Sequence, residues 1–372
     1  MRRRMSIIFL LLFLMLSACS NDQVQTMIPK GKSDFSIESE YGHYSSQEQH
    51  LTNFITQKML TNKGIYTNFK KQKYDKNQAK GHELLSESSG FWLEYLVKTH
   101  QYKKFRQFYH ETVNTFDQGS QFSYRYTPKT KKKFNVNATL DDLRIIRALQ
   151  LYADATGNKT YKKEAAHRFA MLKKNTMNRG KIASFYDVKA HQASEESALV
   201  YYDFSTLKYF ESTSQASKEM YKKQLAVVQN GYLGDAFPLY VSSYDWHSKS
   251  YSNNDLNTSE VLETVLHLAE IGKAKKITLN WLKRQVSENT LYNTYSVNGV
   301  IVDKSHSAGS YALAAMIFAT VKDKKMYHQA MNLVWKYQIK DKSSPIYGGI
   351  GIEKQQEAYS YNNLTALMAA KY

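Results

Sequence analysis

Three short stretches set a carboxylate at the head of an apolar, helix-periodic run: Ser86-Glu87-Ser88-Ser89-Gly90-Phe91-Trp92-Leu93, Asn137-Ala138-Thr139-Leu140-Asp141-Asp142-Leu143, and Ser252-Asn253-Asn254-Asp255-Leu256-Asn257. An acid at the mouth of a helix lies at an element end rather than in a packed face, so acids from separate helices can converge on one cleft. Cleavage of a glycosidic bond needs such a pair. One carboxylic acid protonates the leaving oxygen and another polarises the attacking water, about 6.5–9.5 Å apart when configuration is inverted.

Glu87 suits the proton donor, because Phe91 and Trp92 follow one turn along, where desolvation raises a carboxyl pKa. The helix dipole opposes this by roughly 0.3–1 kcal/mol, less than full enclosure would supply. Asp255 suits the base, since Asn253, Asn254 and Asn257 surround it with amides that leave an aspartate ionised while ordering a water. Tyr244-Asp245-Trp246 competes, a carboxylate between two rings, but only Asp255 immediately precedes the long apolar run Val261 to Ile271. For all these acids the alternative is helix capping, above all for Asp141 and Asp142.

The elements that would position these groups are mainly helical. The chain has 372 residues and only four prolines. Leu51, Phe54, Ile55 and Met59 keep a helical period, as do Leu143, Ile146, Leu149 and Ala153, and Val261, Leu262, Val265, Leu266 and Ala269. Two segments read as helix hairpins: Asp141 to Thr156 and Tyr161 to Met171 around Gly157-Asn158-Lys159, and Tyr311 to Val321 and Met326 to Tyr337 around Lys322-Asp323-Lys324. Repeated helix hairpins argue for a solenoid, a bundle or a closed α/α toroid, and the unequal breaks favour an all-α toroid of paired inner and outer helices. Tyrosine is frequent, at 29 residues, and Tyr201-Tyr202-Asp203-Phe204, Tyr244-Asp245-Trp246 and Tyr251 fall near expected loops, where rings can stack on sugar faces.

The N-terminus has the order of a secretory signal with a bacterial lipoprotein processing site: Arg2, Arg3 and Arg4, an apolar run from Ile7 to Leu16, then Leu16-Ser17-Ala18-Cys19. Cys19 is the single cysteine, so it has no internal disulfide partner and is open to lipid attachment. Residues 1–18 read as the signal peptide, 19–39 as lipidated Cys19 and a polar tether outside the fold, and 40–372 as one domain. Such a protein is expected on the extracellular face of the cell membrane, as a monomer.

The formal charge of +18 suits an anionic lipid, wall polymer or acidic polysaccharide without choosing among them. Nucleic acid is disfavoured, because the lysines are spread as pairs and triplets such as Lys131-Lys132-Lys133 and no DNA- or RNA-binding signature occurs. There is no H-E-x-x-H and no glycine-rich phosphate loop, and the histidines are scattered, so no metal is expected. Ser307-Ala308-Gly309-Ser310 reads as a helix-start turn rather than a nucleophile elbow.

The first stretch resembles the general-acid motif of family 8 glycoside hydrolases, S-E-G-x-x-Y-G-M. Ser86, Glu87 and the aromatic Phe91 fit it, and Ser88 and Trp92 replace its glycines. The second is similar to the family's A-T-D-x-D-L…A-L segment. Asp142 matches its second acid; the first, which binds sugar at the cleavage subsite, falls on Leu140, with Asp141 one residue away. The third resembles Y-D-A-x-R around the catalytic base, with Asp255 kept and the tyrosine and arginine lost. With the lipoprotein signal, the chain looks most like the divergent family-8-like lipoproteins of Gram-positive bacteria that accompany exopolysaccharide production.

The resemblance implies an (α/α)6 toroid, inverting endo-hydrolysis of a polysaccharide, and no cofactor. It places Glu87, Asp255, Asp142 and Asp141 in catalysis, with Phe91, Trp92, Tyr202, Asp203, Tyr244, Asp245 and Trp246 as candidates for binding the glycan. Two alternatives stay open: a non-catalytic glycan-binding lipoprotein of the same fold, and another α/α-toroid sugar enzyme, a lyase or unsaturated-uronyl hydrolase, acting on an acidic glycan.

Overall fold

The computed structural model of the protein describes residues 26–35 and 41–372. The stretch read as a signal peptide, and Cys19, lie outside the described residues. Twelve α-helices occur among them. Six form an inner ring: α2 (Ser86–Lys98), α4 (Thr139–Thr156), α6 (Phe204–Glu211), α8 (Thr258–Glu270), α10 (Ala308–Thr320) and α12 (Ser360–Ala369). The outer six are α1 (Ser45–Phe54), α3 (Tyr102–Phe116), α5 (Lys159–Thr176), α7 (Gln215–Asn230), α9 (Lys276–Glu288) and α11 (Lys324–Trp335). Helix α2 packs on α4, α4 on the turn entering α6, α6 on α8, α8 on α10, α10 on α12, and α12 back on α2. The ring is therefore closed, with α8 facing α2 across it.

The sequence separates the two rings. Inner helices are apolar nearly all round, as a helix buried on every side must be. In α10 every residue from Ala308 to Ala319 is buried, and its alanines let neighbouring backbones approach closely. Outer helices carry an apolar stripe only, as in α3, where Phe105, Phe108, Tyr109, Thr112 and Phe116 face inward while Lys103, Lys104, Arg106 and His110 face water. Each fully buried Leu, such as Leu93, Leu143 or Leu313, contributes about 1.5–3 kcal/mol of apolar transfer.

Both expected helix hairpins are present. Gly157 ends α4 in the left-handed conformation at φ 71°, and the Asn158 side chain caps α5 by accepting from the backbone N–H of Thr160 and Tyr161. Ser307 caps α10 by accepting from Gly309 N, so Ser307-Ala308-Gly309-Ser310 is the start of a helix.

Two expectations need correction. The domain is not strictly all-α: among the described residues, thirteen strands of two or three residues form five small antiparallel sheets. Three contain hairpins of one design, Arg125–Thr127 with Lys132–Lys133, Tyr186–Asp187 with Gln192–Ala193, and Ser243–Asp245 with Ser250–Tyr251. Each turns through a residue with φ between 53° and 56°, Lys131, His191 or Lys249. Strands this short have no alternation to read in a sequence.

The second correction concerns residues 26–35, part of the stretch read as a tether outside the fold. They lie against the domain: Phe35 is buried, the Arg147 guanidinium sits 5.3 Å from its ring, and Ser33 N and Oγ both donate to Asp154 Oδ2, at 2.9 and 2.5 Å.

Candidate active site

The N-terminal turns of the inner helices meet at one end of the toroid and enclose a cleft of about 360 Å³. Its walls are Glu87 of α2, Leu140, Asp141 and Arg144 of α4, Ala198, Val200 and Tyr201 ahead of α6, Asn257, Ser259, Glu260 and Glu263 at α8, and Tyr361 of α12. Because five of the six inner helix starts each supply part of the wall, residues far apart in sequence share a single space.

Glu87 is half-buried on the cleft floor. Desolvation pushes its carboxyl up to about 8, with help from the negative charge of Asp141, Glu263 and Glu260 and against the pull of Arg144. Asp141 is buried beside it and is raised less, to about 6: burial lifts it, while Arg144 and a hydrogen bond from Ser86 Oγ at 2.8 Å favour its ionised form. The two acids titrate together, and the proton stays on Glu87 while Asp141 ionises first. Arg144 is their counter-ion. Its Nη1 lies 3.3 Å from Asp141 Oδ1, its Nη2 pairs with Glu263 Oε1, and its guanidinium sits 4.4 Å from the Phe91 ring centre. Burial works against the charge of Arg144, and Glu263, Asp141 and Glu87 more than offset it.

Other sequence candidates sit elsewhere. Asp142 is buried behind the cleft wall, where Oδ1 accepts from Phe122 N and Oδ2 from Asn137 Nδ2, both at 2.8 Å, so it fastens two loops to α4. Burial pushes it to about 8. Asp255 is exposed and is not among the residues lining the cleft. The cap of α8 is Asn257, whose side chain accepts from Ser259 N and Glu260 N, and the acids that α8 sends to the cleft are Glu260 and Glu263.

Phe91 and Trp92 are buried beneath the cleft, Phe91 under Arg144 and Trp92 stacked on Tyr95 at 5.3 Å. Tyr202 is a core residue whose hydroxyl donates to Gly180 O, while the preceding Tyr201 lines the cleft. Asp203 caps α6 through Thr206 N and pairs with Arg147. Tyr244, Asp245 and Trp246 belong to the Ser243–Asp245 hairpin: Asp245 accepts from Ser248 N in its turn, Trp246 Nε1 donates to Ser197 Oγ at 2.7 Å, and Tyr244 packs on both Trp246 and Tyr251.

Arg144, Glu260, Glu263 and Tyr361 were not anticipated, and Tyr201 and Asn257 were noticed only as neighbours of Tyr202 and Asp255. Charged residues inside otherwise apolar helices were the available signal, since Arg144 and Glu263 interrupt buried faces that a purely structural helix would fill with Leu or Ala.

A second tier lies two helical turns further in, about 10 Å along the axis. Glu94, His267 and Glu270 repeat Glu87, Glu260 and Glu263 at a spacing of seven residues. Arg147 gathers this tier, with Nη2 2.7 Å from Glu270 Oε1 and Nη1 3.3 Å from Asp203 Oδ1. A separate hollow of about 540 Å³ opens at the opposite end, beside the C-terminal ends of α2 and α4; its one acid, Asp154, is held by Ser33, so it offers no carboxylate pair.

This closed ring with acids at its helix starts can be compared with known proteins. No family model matches the chain. A protein of Bacillus subtilis (strain 168) named as a lipoprotein, YdaJ, is 25% identical over 326 residues, covering 86% of this chain and 85% of its own. A novel alpha-amylase from Clostridium perfringens superposes with a TM-score of 0.82 at 26% identity, over 88% of this chain and 98% of that one. Endoglucanase Cel10 from Klebsiella pneumoniae, a family 8 glycosyl hydrolase, superposes with a TM-score of 0.61 at 15% identity, over 87% and 98%. The fold is that of the family 8 glycoside hydrolases. Within this family 8 fold the cleft described above is the place where helix starts from five of the six inner positions converge. No helix among the described residues is long and apolar enough to cross a membrane.

Proposed function

We propose that the protein is an inverting glycoside hydrolase, held at the outer face of the cell membrane through lipid on Cys19, that cuts an exopolysaccharide or cell-wall glycan internally. The observation that carries this reading is Glu87, a carboxyl kept protonated near neutrality by its surroundings, set in one cleft with the ionised Asp141 and with Glu260. Glu87 donates its proton to the glycosidic oxygen as the bond breaks. The group that activates water must stand on the other side of the sugar, and α8 faces α2 across the ring, which favours Glu260, exposed to water at the cleft rim. Asp141 and Arg144 hold the sugar hydroxyls, and the carboxylate of Asp141 stabilises the positive charge that develops on the ring. Tyr201 and Tyr361 supply faces for the pyranose rings.

Release of oligosaccharides from starch, carboxymethylcellulose, xylan and polygalacturonate tests the reading, with the anomer formed first followed by NMR. Glu87→Gln and Glu260→Gln abolish release without lowering the melting temperature, and the first product has inverted configuration. If Asp255→Asn is inactive while Glu260→Gln retains activity, the base is Asp255. Binding of a glycan by the wild type without any release would establish the non-catalytic reading instead.

A further inference from the structure

A second concavity, of about 950 Å³, opens beside the strand that leads into α2, and it shares no lining residue with the cleft. Its charge is one-sided. Lys71, Lys73, Lys129 and Lys132 line it, all are exposed, and none has a carboxylate partner among the described residues. The nearby acids are already engaged: Glu83 is buried against Arg125, with Oε2 2.6 Å from Nη2, and Asp75 takes Lys80 at 2.9 Å. Between the lysines lies an aromatic floor. Tyr66 and His82 stack at 4.0 Å with 9° between their planes, and Tyr74 is 55% exposed.

We propose that this pocket binds a segment of an acidic polysaccharide, with pyranose faces on the Tyr66–His82 platform and Tyr74 and the carboxylate substituents on the four lysines. Ammonium groups without a carboxylate partner around a concavity concentrate anions, and the flat rings add a preference for sugars that a bare polyanion cannot use. A membrane surface fits less well, because the lysines line a hollow that a bilayer does not enter. Glu83 of this pocket and Glu87 of the cleft are four residues apart in the chain, at most about 14 Å. One glycan can therefore reach both, so that the pocket selects acidic chains for the cleft. That last step rests on the hydrolase reading; the binding itself does not.

Affinity electrophoresis in gels containing polygalacturonate tests the binding, with neutral dextran, polyphosphate and phosphatidylglycerol vesicles as separate probes, on wild-type protein and on Glu87→Gln. Retardation by polygalacturonate and not by dextran is expected in both proteins, whether or not either turns substrate over. Lys71→Glu combined with Lys129→Glu weakens it by about two- to thirtyfold, as the loss of two exposed ionic contacts predicts. Tyr66→Ala weakens it with the lysines intact. Lys71 and Lys129 are exposed and Tyr66 is half-buried, and a cooperative melting transition confirms folding of each variant. Polygalacturonate binding that survives the double charge reversal overturns the proposal. So does polyphosphate binding as tight as polygalacturonate with no effect of Tyr66→Ala, or lysine-dependent binding to vesicles alone.

Discussion

Ser86 donates its hydroxyl to Asp141 Oδ2 at 2.8 Å, across the seam between α2 and α4. The bond ties the residue beside Glu87 to the second acid of the cleft, and it favours the ionised form of Asp141. Ser86→Ala removes it in a buried setting. The expected results are a stability loss of about 1.5–3 kcal/mol by denaturant unfolding and a rise in the pH at which activity is lost on the acid side. An acid limb unmoved from wild type would show that Asp141 does not set it.

The raised acids give a bell-shaped pH profile. Asp141 must be ionised, so activity falls as pH drops through about 6, and Glu87 must hold its proton, so activity falls as pH rises through about 8. The stability linkage has its own sign. The folded pKa of Glu87 lies above its unfolded value of 4.5, so its favourable contribution is complete below 4.5 and is lost as pH rises to about 8. Melting temperatures from pH 4 to 9 should therefore show Glu87→Gln gaining on wild type as pH rises across that window. A constant difference between the two proteins would mean that Glu87 has an ordinary pKa.

Arg144 is the cation for both Asp141 and Glu263. Replacing it with Met leaves two buried carboxylates without a counter-charge, at a cost of about 3–5 kcal/mol, and activity falls with it. Adding Glu263→Gln to Arg144→Met should restore part of the stability, because one unpaired charge disappears. Additive losses in the double variant would show that the two side chains are not coupled.

Gly90 sets the spacing between α2 and α4. A Cβ there would stand 2.8 Å from Arg144 Cβ, inside normal contact. Alanine improves helix propensity by about 1 kcal/mol, but the overpacking costs about 1–3 kcal/mol and moves the cleft arginine. Gly90→Ala should therefore be net destabilising and lower kcat, read by denaturant unfolding and by initial rates. A more stable, fully active variant would show that the helices separate freely.

The helix pattern was largely legible in the sequence. Apolar periodicity located α4, α8 and α10, and Gly157-Asn158 marked the break between α4 and α5, because a left-handed C-cap and an amide N-cap are local requirements. Glu87 and Asp141, both at helix starts, line the cleft, since their position depends on the helix that follows. The short strands were illegible. So was the packing of Phe35, because a single buried ring in a polar stretch acquires meaning only from Arg147, distant in sequence.

The tertiary structure alone divided neighbouring residues between core and cleft. Asp141 and Asp142 differ by one position, or about 100° of helix, and one turns to Arg144 in the cleft while the other turns to Phe122 and Asn137 behind it. Tyr201 and Tyr202 part in the same way, and Asn257, not Asp255, begins α8. The sequence by itself determined that the chain makes apolar helices headed by acids, since period and capping are written within a few residues. Which acids share one space, and which of them keeps a proton, depended on ring closure, because burial and the charge of Arg144, Glu260 and Glu263 reach Glu87 only through space.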